Sequence, residues 1–189
     1  MKKENSAIKY GLIGAIVLVA FGIIIQLIAL SYLESAASNP GKFTLGKALL
    51  IGICSLVIVA GIFIYCIVKS IKEYRKKDPE YTYRKLVAQG LLVTLILVVV
   101  SSGLSYLYNN VITPETREKT LELTKQVYQN LSIPDDQKEK MLEGLENKNP
   151  VRELLTSLGL TLLLGMIISL VSAMVMNKRN TFNNPNQMR

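Results

Sequence analysis

Gly11–Leu33 reads GLIGAIVLVAFGIIIQLIALSYL, 23 residues without a charged side chain. A helix of about 20 such residues crosses roughly 30 Å of hydrocarbon. In lipid an isolated strand would leave its backbone groups unpaired, so a helix is expected despite the many β-branched residues. Three further blocks repeat the pattern. The second reads ALLIGICSLVIVAGIFIYCIV over Ala48–Val68, extending back to Leu45 if Lys47 snorkels to the interface. The third is LVAQGLLVTLILVVVSSGLSYLY over Leu86–Tyr108, and the fourth is LLTSLGLTLLLGMIISLVSAMVM over Leu154–Met176. The expected fold is therefore all-α, an integral membrane four-helix bundle forming a single membrane domain over residues 1–189, with spans near 11–33, 45–68, 86–108 and 154–176.

The composition agrees. Half of the 189 residues are hydrophobic and 19% are charged, against about 25% charged in soluble domains. The net charge of +8 comes from 22 Lys/Arg and 14 Asp/Glu. Its distribution points to membrane topology and away from a nucleic-acid partner. The connection between spans two and three carries seven Lys/Arg in the 17 residues Lys69–Lys85, whereas the third connection spreads seven over 45 residues, Asn109–Glu153. With an even number of spans, dense positive charge places the N-terminus, the second connection and the C-terminal tail in the cytoplasm. Tyr10, Tyr32, Phe43, Tyr65, Tyr106 and Tyr108 fall near the expected interfaces. Met1–Lys9 is basic and Ser35-Ala36-Ala37 resembles a cleavage site, which would make span one a signal peptide. Its apolar stretch far exceeds the usual length of about 7–15 residues, so a retained helix is the expectation.

The third connection is too long for a bare loop. It reads as an extracytoplasmic helical insertion over 113–148. Thr113-Pro114-Glu115 has the form of a cap, a Pro at N1 and an acid in the first turn. Leu121, Thr124, Val127, Tyr128 and Leu131 then share one face. A second helix begins near Ser132-Ile133-Pro134-Asp135-Asp136, with Met141, Leu142 and Leu145 apolar and Ile133 placed as a staple. Asn149-Pro150 leads into span four as a cap and N1. Leu121, Tyr128, Met141 and Leu145 are the candidate partner surface.

Within the cores of the four spans there is no Asp, Glu, His, Lys or Arg, and such residues are the usual mark of proton and ion pathways. Gln26 lies mid-span and is expected to hydrogen-bond to a neighbouring helix. Ser157, Thr161, Gly165, Ser169 and Ala173 recur every four residues in span four. This small-residue stripe suits close helix packing, within the bundle or in a homodimer. Gly11 and Ala15 in span one, and Ala48 and Gly52 in span two, have the same character. Cys54 and Cys66 stand twelve residues apart on one helix, about 18 Å, too far for a disulfide. They read as small packing residues.

The chain has no histidine. No glycine-rich phosphate loop or Gly-x-Ser-x-Gly elbow is present. Catalytic, cofactor-binding and metal-binding residues are accordingly expected to be none, with no cofactor. The leading expectation is a non-catalytic membrane protein, structural or an accessory subunit, whose partners are the lipid bilayer and a membrane protein or a second copy. The alternative is a small oligomeric transporter or channel.

The order of these features resembles an uncharacterised family, a domain of unknown function, of four-span inner-membrane proteins from Bacteroidetes-type bacteria. The resemblance rests on Met1-Lys2-Lys3 followed by Ile8-Lys9-Tyr10-Gly11-Leu12-Ile13, and on Tyr74-Arg75-Lys76-Lys77 followed by Leu86-Val87-Ala88-Gln89-Gly90-Leu91-Leu92. Leu131-Ser132-Ile133-Pro134-Asp135-Asp136-Gln137 in the outer segment is also similar, and Tyr81-Thr82-Tyr83-Arg84 stands where the family often has an aromatic-glycine element. The resemblance implies an inner-membrane location and brings no activity or catalytic residue.

Overall fold

Four long apolar helices, each of a length and composition able to cross a membrane, account for most of the chain in a computed structural model. The structure describes residues 5–39, 45–78, 81–130, 134–146 and 150–183. Helix α1 runs Ser6–Ser38, α2 Leu45–Lys77 and α3 Tyr83–Leu107. A π-helical turn, Tyr108–Ile112, follows α3 and leads to two short helices, α4 (Pro114–Gln129) and α5 (Asp135–Glu146). Helix α6 closes the order at Pro150–Asn183. The all-α architecture with short helices between the third and fourth spans is as the hydropathy pattern predicts. Phe43, the staple Ile133, Leu131 and Asn149 lie outside the described residues.

Helices α1, α2 and α6 extend well past the apolar blocks. The 33 residues of α2 make a rod of about 50 Å, against roughly 30 Å of hydrocarbon. Its overrun is the basic segment, with Arg75, Lys76 and Lys77 in the last turn, where cations complement the helix dipole. At the other end of the order, Asn5 Oδ1 accepts the Ala7 backbone N–H at 3.2 Å and caps α1.

The described residues divide into two compact units. The first takes residues 1–18, 58–102 and 157–189. Its core contains Phe63, Ile67 and Ile71 of α2, Leu86, Val93, Leu97 and Val98 of α3, and Ala173 and Met176 of α6. Helix α3 buries Leu86, Gln89, Gly90, Val93, Thr94, Leu97 and Val98, a three-four spacing that lies on a single helical face. Close approach to this face depends on glycine. A Cβ built on Gly11 would stand 2.8 Å from the Ile96 Cβ, and one on Gly14 2.7 Å from a Leu97 methyl. Helices α1 and α3 therefore touch almost backbone to side-chain stem, the packing that small residues permit in membranes.

The second unit takes residues 19–57 and 103–156. Its buried residues include Ala36, Val127 and Leu145, and in it α4 packs against both α5 and the π-turn. Thr113 does not cap α4 through its side chain. Its N–H and Oγ1 instead both donate to the Tyr108 carbonyl, at 2.9 and 3.0 Å, closing the π-turn. Pro114 does occupy the start of α4, with Glu115 in the first turn. Arg117 donates to Asn110 Oδ1 at 2.7 Å, and Asn110 donates to the Tyr106 carbonyl at 2.9 Å. A Lys119–Glu34 ion pair at 2.5 Å ties α4 to the end of α1. The Gly52 close approach is not found, because a Cβ there would meet nothing within 4 Å. Cys54 is exposed while Cys66 is buried in the first unit's core, so of the two cysteines Cys66 is the one that packs.

Candidate functional site

In the first unit, polar side chains buried between helices come together in two places. At one, Gln89 of α3 donates to Ser6 Oγ of α1 at 2.9 Å and to Ser70 Oγ of α2 at 3.0 Å. Ser6 Oγ itself lies 3.5 Å from the Ser70 carbonyl. Three helices are thus tied by one amide, whose NH₂ offers two donors. At the other, Thr94 Oγ1 stands 3.2 Å from Ser169 Oγ and 3.3 Å from the Gly165 carbonyl, and Ser169 donates to that same carbonyl at 2.7 Å. A Cβ on Gly90 would come within 2.9 Å of the Ser169 Cβ, and one on Gly165 would collide with Thr94. The α3–α6 contact is therefore close and polar.

Of the small stripe in α6, Gly165, Ser169 and Ala173 are buried, while Thr161 is half-buried and Ser157 exposed. The first three lie in contact with α3 or in the core. Gln26, singled out for interhelical bonding, is only half-buried, and its amide has no side-chain hydrogen bond among the described residues. Gln89 makes those bonds. Both are lone amides in apolar runs, so composition does not separate them. What separates them is tertiary: Gln89 lies on the face of α3 that is buried with Leu86, Val93 and Leu97.

Beyond the apolar stretch of α2, the first unit opens into a cleft of about 620 Å³ lined by Tyr10, Lys69, Lys72, Glu73, Arg75, Lys76 and Tyr81. The Arg75 guanidinium lies 4.7 Å from the centre of the Tyr81 ring, within cation–π range. The Tyr81 hydroxyl is buried and has no hydrogen-bond partner among the described residues. Glu73 takes Lys77 Nζ at 2.7 Å. That hydrogen bond holds its carboxyl below the usual carboxylate range, opposed by partial desolvation and helped by a hydrogen bond from Tyr10 and the charge of Lys9. Asp78, just past the end of α2, accepts Tyr74 Oη at 3.1 Å and Lys85 Nζ at 3.0 Å. In the sequence the run Ile71–Lys77 reads as topological charge that could also touch anionic lipid headgroups. The Tyr81 hydroxyl carried no signal there.

In the second unit, Leu121 and Tyr128 of α4 are half-buried, Met141 of α5 is 39% exposed and Leu145 is buried. Leu145 thus belongs to the interior of the hairpin, leaving Leu121, Tyr128 and Met141 with surface to offer. Asp135 and Asp136 occupy the first turn of α5, where the helix dipole favours acid. Among the described residues no three His, Cys, Asp or Glu side chains cluster as a metal-ligand set.

No curated protein and no solved structure matches the chain. A family model described as a protein of unknown function (DUF4199) matches residues 9–178, so this multi-span membrane protein belongs to that family.

Proposed function

We propose that the chain is a non-catalytic integral membrane protein, a structural or accessory subunit in the inner membrane of a Bacteroidetes-type bacterium. Its termini and the α2–α3 connection lie in the cytoplasm, and the α4–α5 hairpin lies outside. The observation that carries the reading is the use made of the polar groups within the helices. Gln89 bonds to Ser6 and Ser70, and Thr94 to Ser169, across helices, and none of the four apolar blocks contains an ionisable residue of the kind that marks transport paths. Leu121, Tyr128 and Met141 supply the apolar part of a docking surface for a membrane partner.

Crosslinking in native membranes tests it, with the intact chain compared against Tyr128→Ser/Met141→Ser. A stoichiometric partner crosslinked to the intact chain and lost from the variant is the expected result. Water access at Gln26→Cys and Ser101→Cys, together with no crosslinked partner, would replace this reading with that of an oligomeric transporter or channel.

A further inference from the structure

One face of α2 carries Ile58, Gly61, Tyr65, Lys69, Lys72 and Lys76 at three- and four-residue spacing, so these positions line up along the helix. Two cavities of the first unit lie along that face. The first is the basic cleft described above. The second is a wholly apolar groove of about 420 Å³, whose lining includes Ile13, Gly14 and Val17 of α1 with Ile58, Gly61 and Tyr65 of α2. The two meet at Lys69. It lines the cleft, and its Nζ lies 5.6 Å from the centre of the Tyr65 ring, which lines the groove. On α1 the same change occurs between Tyr10, in the cleft, and Ile13, one turn on in the groove.

A crevice that is apolar along one stretch and cationic at its end has the profile of an amphiphile. From Ile58 to Lys69 is about 16 Å along the helix, close to one leaflet of a hydrocarbon core roughly 30 Å thick. The charge at the end is net positive: Lys69, Lys72, Arg75 and Lys76 line the cleft with one carboxylate, Glu73, which Lys77 engages. The buried Tyr81 hydroxyl supplies a donor that no described residue uses, suited to a phosphate oxygen. The width of the groove owes something to Gly61. A Cβ there would meet nothing within 4 Å, so helix packing does not require this glycine.

We propose that this crevice binds one anionic glycerophospholipid, its phosphate in the Lys69–Lys72–Lys76–Tyr81 cleft and an acyl chain in the Gly61 groove. The shared chemistry of the cleft is that of a phosphate anion, and the groove commits it to a lipid source.

Native mass spectrometry of the full chain in detergent tests this, with titration of phosphatidylglycerol, phosphatidylcholine of the same acyl chains, and inorganic phosphate. Phosphatidylglycerol is expected to bind at least about tenfold more tightly than phosphatidylcholine. A surface lysine contributes about fivefold to anionic-lipid binding, so Lys72→Gln/Lys76→Gln should weaken phosphatidylglycerol roughly thirtyfold. Gly61→Leu, which puts a side chain into the groove from a position where an added Cβ meets nothing within 4 Å, should weaken both lipids and leave inorganic phosphate unchanged. Thermal unfolding without added lipid checks that both variants fold. Equal affinity for the two lipids overturns the proposal. So does phosphatidylglycerol binding that Gly61→Leu leaves intact while inorganic phosphate competes for it, because the site would then be one for free phosphate.

Discussion

A buried amide survives in an apolar helix only where another helix satisfies it, and Gln89 meets that condition twice. The Gln89–Ser70 hydrogen bond is 3.0 Å long and buried, and measured side-chain bonds of this kind in membranes average about 0.6 kcal/mol. A double-mutant cycle of Gln89→Ala and Ser70→Ala, read by denaturant unfolding in detergent micelles, should give a coupling of about that size. Zero coupling would mean that the bond contributes nothing. Glycines offer a sharper contrast. Gly165→Ala forces a Cβ into Thr94 and should destabilise by about 1–3 kcal/mol. Gly159→Ala, on the same helix with nothing within 4 Å, should be neutral or stabilise by up to about 1 kcal/mol through helix propensity. The four-residue spacing of the α6 stripe is visible in the sequence. That its buried part begins at Gly165 and excludes Ser157 depends on which stretch of α6 meets α3.

Among the elements, the α4–α5 hairpin depends on very little buried surface. Val127 is 3% exposed and Leu145 9%, so a charge at either position would be left without water or a partner. Val127→Asp should open the hairpin and speed its cleavage by added protease in proteoliposomes, with the four long helices remaining intact. The Lys119–Glu34 pair is a weaker tie, its side chains 56% and 45% exposed, and pairs of that kind contribute at most about 1 kcal/mol. Lys119→Ala should therefore leave the cleavage rate near that of the unaltered chain, and a rate matching Val127→Asp would contradict this ranking. The start of α4 at Pro114 is legible from Thr113-Pro114-Glu115. The π-turn before it is not, because it results from Thr113 turning its hydroxyl back to Tyr108 and so giving up the cap.

For the whole molecule, the proposed orientation makes a direct prediction. In a Cys54→Ser/Cys66→Ala background, Lys76→Cys should react with an impermeant thiol reagent only after the membrane is opened. Asp136→Cys should react in intact cells. The reverse pattern would invert the topology. Both positions are exposed, so burial will not mask either outcome.

Four spans, their rough limits and the helical insertion follow from the sequence by itself, because a bilayer imposes a length and an apolar composition that a chain cannot disguise. Charge placement along the connections is equally local and equally readable. Partner choice inside the membrane is different. When a helix is apolar all round, periodicity loses its power to say which face meets protein and which meets lipid. Only the tertiary structure decided that Gln89 is bonded across helices while the Gln26 amide has no such bond among the described residues, that Gly14 and Gly165 are contact points while Gly52 and Gly61 face open space, and that the basic end of α2 lines a cleft beside Tyr81. The physical reason is that hydrocarbon is as apolar as the side chains themselves, so the hydrophobic effect that sorts residues in water sorts nothing here. Close packing and a few hydrogen bonds make the selection, and both depend on which residues of separate helices come to lie side by side.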